Sequence, residues 1–303
     1  MSVQQQQFIN LFLLLLLGSF FSNIYLSWWE MGTLMLFIIV IEYRRVGLPT
    51  NMNFFRSITM VDKSTLQQIP YASLTTAIGV MLMMVSTHFY IYFIVISLAL
   101  LQKHYLKINN QHFFNPSNFA LIMTLLLFYD EAHIVLGQLG DEFCLVMVLL
   151  SMAVFILVRV NRWLISLCFI LLYLLLQYLF VVSSDPVLVM EEIYHRFYSI
   201  SFVLFILFML TDPRTTPSKN YLQILFACFL ALSSVALDYV YGFRVQHIFL
   251  SLFLFSLFTP LLEQWHTAEK KSLVVMTFAL FILAIVAIIF IENQTPYYFT
   301  MEN

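Results

Sequence analysis

Charge is what this sequence has least of. Only 10% of its 303 residues are charged, against about 25% in soluble domains, and 62% are hydrophobic, against roughly 45–50%. A chain this poor in charge cannot cover a soluble surface of this size, and a mean hydropathy of +0.91 agrees. The expected class is therefore an all-α, polytopic membrane protein. The net charge of -2 comes without any basic cluster, which excludes nucleic acid as a partner and points to no acidic one. Glycine is scarce, at seven residues, so phosphate-cradling loops are scarce too. The three cysteines, Cys144, Cys168 and Cys228, lie in apolar runs without CxxC spacing and read as small packing groups. There is no HExxH and no carboxylate pair at catalytic spacing. Before Arg44 there is no Lys or Arg, so the N-terminus lacks the basic region of a secretory signal and is expected to be a retained first helix.

What the chain does have is long apolar runs. A hydrocarbon core ~30 Å thick needs about 20 apolar residues per helix. That ruler predicts helices near 8–22, 24–43, 70–87, 88–104, 117–129, 142–159, 163–182, 196–211, 220–239, 246–262 and 271–292. This is a bundle of about ten or eleven helices, the first pair being open to a reading as one bent element. The chain is expected to be one integral-membrane domain over 1–303, with a loop over 44–69 and two candidate halves, about 1–130 and 142–292. Arg44, Arg45, Arg56, Lys63, Lys103, Lys107, Arg159, Arg162, Arg214, Lys219, Lys270 and Lys271 all fall on one side of that bundle. Only Arg196 and Arg244 break the pattern. The basic side is cytoplasmic, which puts the N-terminus inside and the C-terminus outside, in a membrane read as the bacterial inner membrane.

Two polar, proline-containing knots interrupt the apolar pattern: His112 to Ala120, reading HFFNPSNFA, and Thr211 to Pro217, reading TDPRTTP. Paired breaks in a membrane chain are the best sequence pointer to a binding site. Asn115 followed by Pro116 is a helix start, with Asn capping free N–H groups and Pro tolerated at the first position. Such a start suits an anionic or electron-carrying ligand, or it simply begins a helix at the membrane surface. Ser117 and Asn118 add hydrogen-bonding groups. In the second knot Asp212, Pro213, Arg214, Thr215 and Thr216 follow a helix slightly short for a full span, which favours a break that lines a cavity. Asp212 and Arg214 are equally able to neutralise each other. Of the histidines, only His112 lies beside a candidate site. The others sit near helix ends or in loops, which disfavours a haem-binding bundle. Asp238 and Glu42 read as anchors or ion-pair members.

HFFNPSNF (112–119) together with FMLTDPRTTP (208–217) resembles the signature pair of the RnfD/NqrB family, whose wider group includes stand-alone members associated with enediyne biosynthesis. The resemblance covers roughly 100–220. It implies a urea-transporter-like bundle of two related halves. It also implies a role as a membrane subunit of a flavin-dependent electron-transport complex, coupled in its relatives to ion translocation. His112, Asn115, Pro116, Asn118, Asp212, Pro213 and Thr215 are the matching positions, and Arg214 joins them as a cofactor-binding candidate. The implied cofactor is FMN or riboflavin, and the implied partners are other membrane or periplasmic redox subunits. Relatives that carry FMN covalently do so on a Thr in a Ser/Asp-Gly-x-Thr motif. No glycine here stands in that setting, and the nearest polar match, Ser73-Leu74-Thr75-Thr76, lacks the glycine. Any flavin is thus expected to be non-covalent. Two other readings stay open: a small-solute channel or carrier without redox chemistry, and a structural or assembly subunit.

Overall fold

The computed structural model describes residues 3–21, 24–46, 70–108, 111–135, 157–184, 189–263 and 270–294. Its secondary structure is almost entirely helical. Helices α1 (Val3–Phe21) and α2 (Trp28–Val46) are separate elements, which resolves the first apolar pair into two. Next come α3 (Tyr71–Met83), strand β1 (Met84–Ser86) and α4 (Phe89–Tyr105). The two-residue strands β2 (Lys107–Ile108) and β3 (Gln111–His112) lead into α5 (Pro116–Leu127) and β4 (Ala132–Ile134). The predicted helix over 142–159 lies almost wholly outside the described residues, of which only 157–160 are helical.

In the second part of the chain, α6 (Trp163–Leu176) runs on into a π-helical turn, Gln177–Val182. Helix α7 (Met190–Tyr198) is followed by α8 (Ile200–Leu204), which ends in a second π turn, Phe205–Met209. These two are bent by 68° about the break, so the single short helix expected over 196–211 is a broken pair that begins earlier. Helices α9 (Asn220–Tyr241), α10 (Gln246–Ser256), α11 (Thr259–Glu263) and α12 (Lys270–Gln294) complete the chain. The helix expected over 246–262 is therefore interrupted at Leu257 and Phe258.

Among the described residues, three helices are long and apolar enough to cross a membrane: Trp163–Val182, Asn220–Tyr241 and Leu273–Gln294. The bent pair makes a fourth if it is one span. Their outer faces suit lipid rather than water. On α12, Val275, Phe278, Ile282, Leu283, Val286 and Phe290 are exposed, while a narrow stripe of Thr277, Ala284, Ile288 and Ile291 faces the bundle. The interior is aromatic: Tyr92, Phe169, Tyr173, Phe202, Phe205, Phe226 and Phe249 are all fully buried.

Helices α3 and α5 are too short to cross, and each leads into a strand. β1 pairs antiparallel with β4, Met84 opposite Ile134 and Ser86 opposite Ala132. The pairing occupies backbone groups that two half-length helices would otherwise leave unsatisfied inside an apolar bundle. The Tyr92 hydroxyl donates to the Met84 carbonyl at 2.7 Å and closes the same end. α9 packs along α6 and α10, while α10 also packs on α5, so the short helix of the first knot sits at the centre of the bundle.

Candidate functional site

The first knot is built by a reversal. β2 and β3 pair antiparallel, Lys107 opposite His112, and return the chain from the end of α4 to the start of α5. Asn115 caps α5: its backbone is extended, and its side-chain oxygen accepts the N–H groups of Ser117 (3.1 Å) and Asn118 (3.2 Å), with Pro116 next in the first turn. The Ser117 hydroxyl donates to the Thr76 carbonyl of α3 at 3.1 Å. That approach requires Gly79, since a Cβ there would lie 2.8 Å from Ser117 Oγ. Asn118 turns the other way and donates to the Phe249 carbonyl of α10 at 3.1 Å.

The second knot is a side-chain-stabilised turn. Asp212 Oδ1 accepts the Arg214 backbone N–H at 3.1 Å, and the Asp212 carbonyl accepts the Thr216 hydroxyl at 2.7 Å. Thr211 bonds back to Leu207 at 2.6 Å, and Thr259 Oγ1 donates to the Thr215 carbonyl at 2.9 Å. The Asp212–Arg214 contact is thus through the Arg214 backbone.

The two knots meet. The Asn115 side-chain amide donates to Asp212 Oδ2 and to the Met209 carbonyl, both at 3.5 Å. The Met209 carbonyl, at the end of the second π turn, also accepts the Asp212 backbone N–H at 3.4 Å. Beside this junction is a cavity of about 360 Å3. His112, Asn115, Pro116, Asp212, Pro213 and Arg214 line it, whereas Asn118 and Thr215 do not. Asn118 is spent on α10, and Thr215 is fully buried beneath the turn, so these two positions hold the knots in place.

None of the rest of the wall was marked as a site residue from the sequence: Gln4 and Gln7 of α1, Thr75 and Thr76 of α3, Lys103 of α4, and Phe208 of the second π turn. No local pattern points to them, because each is ordinary on its own helix. The Thr75 and Thr76 hydroxyls are engaged with carbonyls four residues back, those of Tyr71 and Ala72. Lys103 Nζ donates to Ser73 Oγ (2.7 Å). Ser73 in turn donates to Glu42 Oε1 (2.6 Å), which also faces His104 Nε2 at 2.9 Å. Glu42 is therefore a buried anchor between α2, α3 and α4.

The electrostatics are set by burial in a cation-rich neighbourhood. His112 lies in the β2–β3 hairpin, outside the membrane-crossing helices. Burial, reinforced by the charges of Lys103 and Arg214, pushes its imidazole down to about 3, so it is neutral at neutral pH. Burial pushes the Asp212 carboxyl up, opposed by the Arg214 N–H and the positive charges of Arg214, Lys103 and Arg162. Among the described residues, Lys103, Arg159 and Arg214 line the cavity against the one carboxylate of Asp212, so its polar end is basic. Among the described residues, no group of three or more His, Cys, Asp or Glu is arranged to hold a metal ion.

No curated protein is significantly similar to the chain. A family model does match, over residues 25–272, a stretch that includes both knots, the cavity's α3 wall and every helix from α3 to α11. With its apolar helices, that match makes the chain an integral membrane protein of the NQR2, RnfD, RnfE family, to which it belongs, and so of a family of membrane subunits of Rnf- and Nqr-type complexes.

Proposed function

We propose that the chain is the membrane subunit of a flavin-dependent electron-transport complex, and that its knots hold FMN or riboflavin without a covalent bond. The observation that carries this reading is the cavity of about 360 Å3 walled by both knots, within the roughly 300–1,000 Å3 range of small-molecule sites. Its lining suits a flavin. Leu204, Phe208, Met209 and Met83 offer an apolar wall for a flat ring system, and Asn115 and neutral His112 offer hydrogen bonds at its edge. Lys103, Arg159 and Arg214 provide positive charge where an anionic ring or a phosphate would lie. When bound, flavin supplies one- and two-electron transfer. This chain's residues would orient the ring, keep water from its apolar face and stabilise negative charge on it. Coupling to ion movement, contacts with periplasmic or other membrane redox subunits, and location in a bacterial inner membrane are parts of the same proposal.

The test is the absorption spectrum of the native complex purified in mild detergent, before and after reduction. The expected result is a flavin spectrum that survives folding of the chain but is released on denaturation, and that Asn115→Ala and Asp212→Ala weaken. Colourless complex from the native host, with its partners present, overturns the proposal. A carrier without redox chemistry is the second reading, favoured by the half-length helices α5 and α10 meeting inside the bundle. Uptake of solute into liposomes without a redox partner would select it.

A further inference from the structure

A second polar region lies at the far end of α9 from the knots. Asp238 is in the last turns of α9, His247 in the first turn of α10 and Glu292 in the last turn of α12, and the three side chains are completely buried. The His247 ring stands between the two carboxylates. Its Nδ1 is 2.6 Å from Asp238 Oδ1, and its Nε2 is 3.4 Å from Glu292 Oε1.

Among the described residues, the groups around it come from α6, the π turn after it, α7, the α9–α10 turn and α10. Tyr173 of α6 and Gln177 of the π turn that follows it donate to Asp238 Oδ2, where Arg196 of α7 also stands, 3.8 Å away. Arg196 donates to the Tyr173 hydroxyl at 2.7 Å and lies over the Phe243 ring, 3.3 Å from its centroid. Arg244, between α9 and α10, donates its backbone N–H to Asp238 Oδ1 (3.1 Å) and its guanidinium to Glu292 Oε2 (2.9 Å). Gln246 donates to Glu292 Oε1 at 2.6 Å.

Among the described residues, two arginines already balance two carboxylates, so the imidazole is not needed for charge neutrality. Its hydrogen bonding is nevertheless incomplete. A neutral imidazole has one N–H and one lone pair, yet both ring nitrogens here face carboxylate oxygens, which only accept. Nε2, fully buried and aimed at Glu292, has no hydrogen-bond partner. One added proton would let the ring donate on both sides, and the cluster charge would rise from zero to plus one. The two carboxylates favour that proton, while burial and the positive charge of the two arginines oppose it. Metal binding is the poorer account, because among the described residues no such group is arranged to hold a metal ion.

We propose that Asp238, His247 and Glu292 form a proton-binding site, with His247 taking up one proton at Nε2 and releasing it to the aqueous phase at that end of the bundle. The step forms and breaks one N–H bond, moves a proton to or from water, and transfers no electrons. It does not rest on flavin binding. An ion pair that only ties helices together would keep the imidazole in one form for as long as the protein stays folded, whereas a proton-binding site changes form reversibly.

The experiment is nitrogen-15 NMR of the native complex labelled at histidine, with His247→Gln used to assign the His247 resonance. The expected result is a reversible change from imidazolium to neutral imidazole between mildly acidic and mildly alkaline pH. Glu292→Gln keeps an acceptor for Arg244 and removes one charge, and it should lower the proton affinity at least about tenfold, one pH unit. A His247 resonance in one form across the whole range overturns the proposal, as does a titration that Glu292→Gln leaves unmoved. If that variant fails to fold, the wild-type titration alone decides. The flavin absorbance of the same samples reports separately on the cofactor.

Discussion

Where Asn220 begins α9, buried polar side chains are bonded mostly to backbone; where Tyr241 ends it, they are bonded mostly to one another. The two ends are separated by α9 itself, about 33 Å of helix at 1.5 Å per residue. At the knots, Ser117, Asn118, Thr211, Thr216 and Thr259 each engage a main-chain carbonyl. These are neutral bonds, local at Thr211 and Thr216 and between elements at Ser117, Asn118 and Thr259; they hold the two turns in place and leave Asn115, His112 and Asp212 facing a cavity. At the other end Asp238, Glu292, Arg196 and Arg244 pair with one another around the His247 ring. The difference is between a wall built to leave space and an assembly built to hold charge. The first kind loses little if one bond is removed, because the turn remains. The second kind cannot lose a member without stranding a charge.

That contrast can be broken by experiment. The largest effect is expected at the charged end: Asp238→Ala strands Arg196 and should cost about 3–5 kcal/mol of stability. Thermal unfolding in detergent would read it, and a loss under about 1 kcal/mol would put the cluster in the same class as surface pairs. At the knots the sensitive point is space rather than charge. Gly79→Ala puts a methyl 2.8 Å from Ser117 Oγ and 3.2 Å from its Cβ, and overpacking of this kind costs about 1–3 kcal/mol. Adding Ser117→Ala removes the closer contact and should recover part of the loss. If Gly79→Ala is neutral, the α3–α5 approach is looser than the geometry indicates.

The smallest effect concerns pH. His112 is held neutral, with its proton affinity lowered on folding to a pKa of about 3. The stability this contributes is fully present above the unfolded value of ~6.5 and is lost as pH falls from there towards 3, at no more than about 1.4 kcal/mol per pH unit. Melting temperatures measured at pH 7.5 and 5.5 should therefore differ less in His112→Gln than in the wild type. Equal differences would show that the imidazole takes its proton without hindrance.

Much of the helical layout was legible in hydropathy. The run 163–182 is bounded as expected, and α9 and α12 lie within two residues of their predicted limits. The Asn115-Pro116 cap was legible because it is local: one side chain and two N–H groups within four residues. The contact between Asn115 and Asp212 was not, since each knot looks complete alone and hydropathy says nothing of which helix faces which. Asp238, read as an anchor or ion-pair member, is in ion pairs, but the same limit placed His247 only near a helix end and left Glu292 unremarked. Their partners come from four other elements. The breaks at Ser199 and at Leu257–Phe258 escaped too, because an apolar run keeps its composition through a bend.

The two π turns carry one further consequence. Each wraps an extra residue into a helix without lengthening it in proportion. One begins at Gln177, which holds Asp238, and the other ends at Met209, which receives Asn115. Deleting a single residue from either turn would restore a regular helix of almost unchanged span. It would also swing everything beyond the turn by about 100°, one residue's worth of helical rotation. The chain should therefore still insert and fold as a bundle after such a deletion while losing the polar contact at that end. Single-residue deletions, scanned through 177–182 and 205–209, would separate what makes this a membrane bundle from what furnishes its two ends.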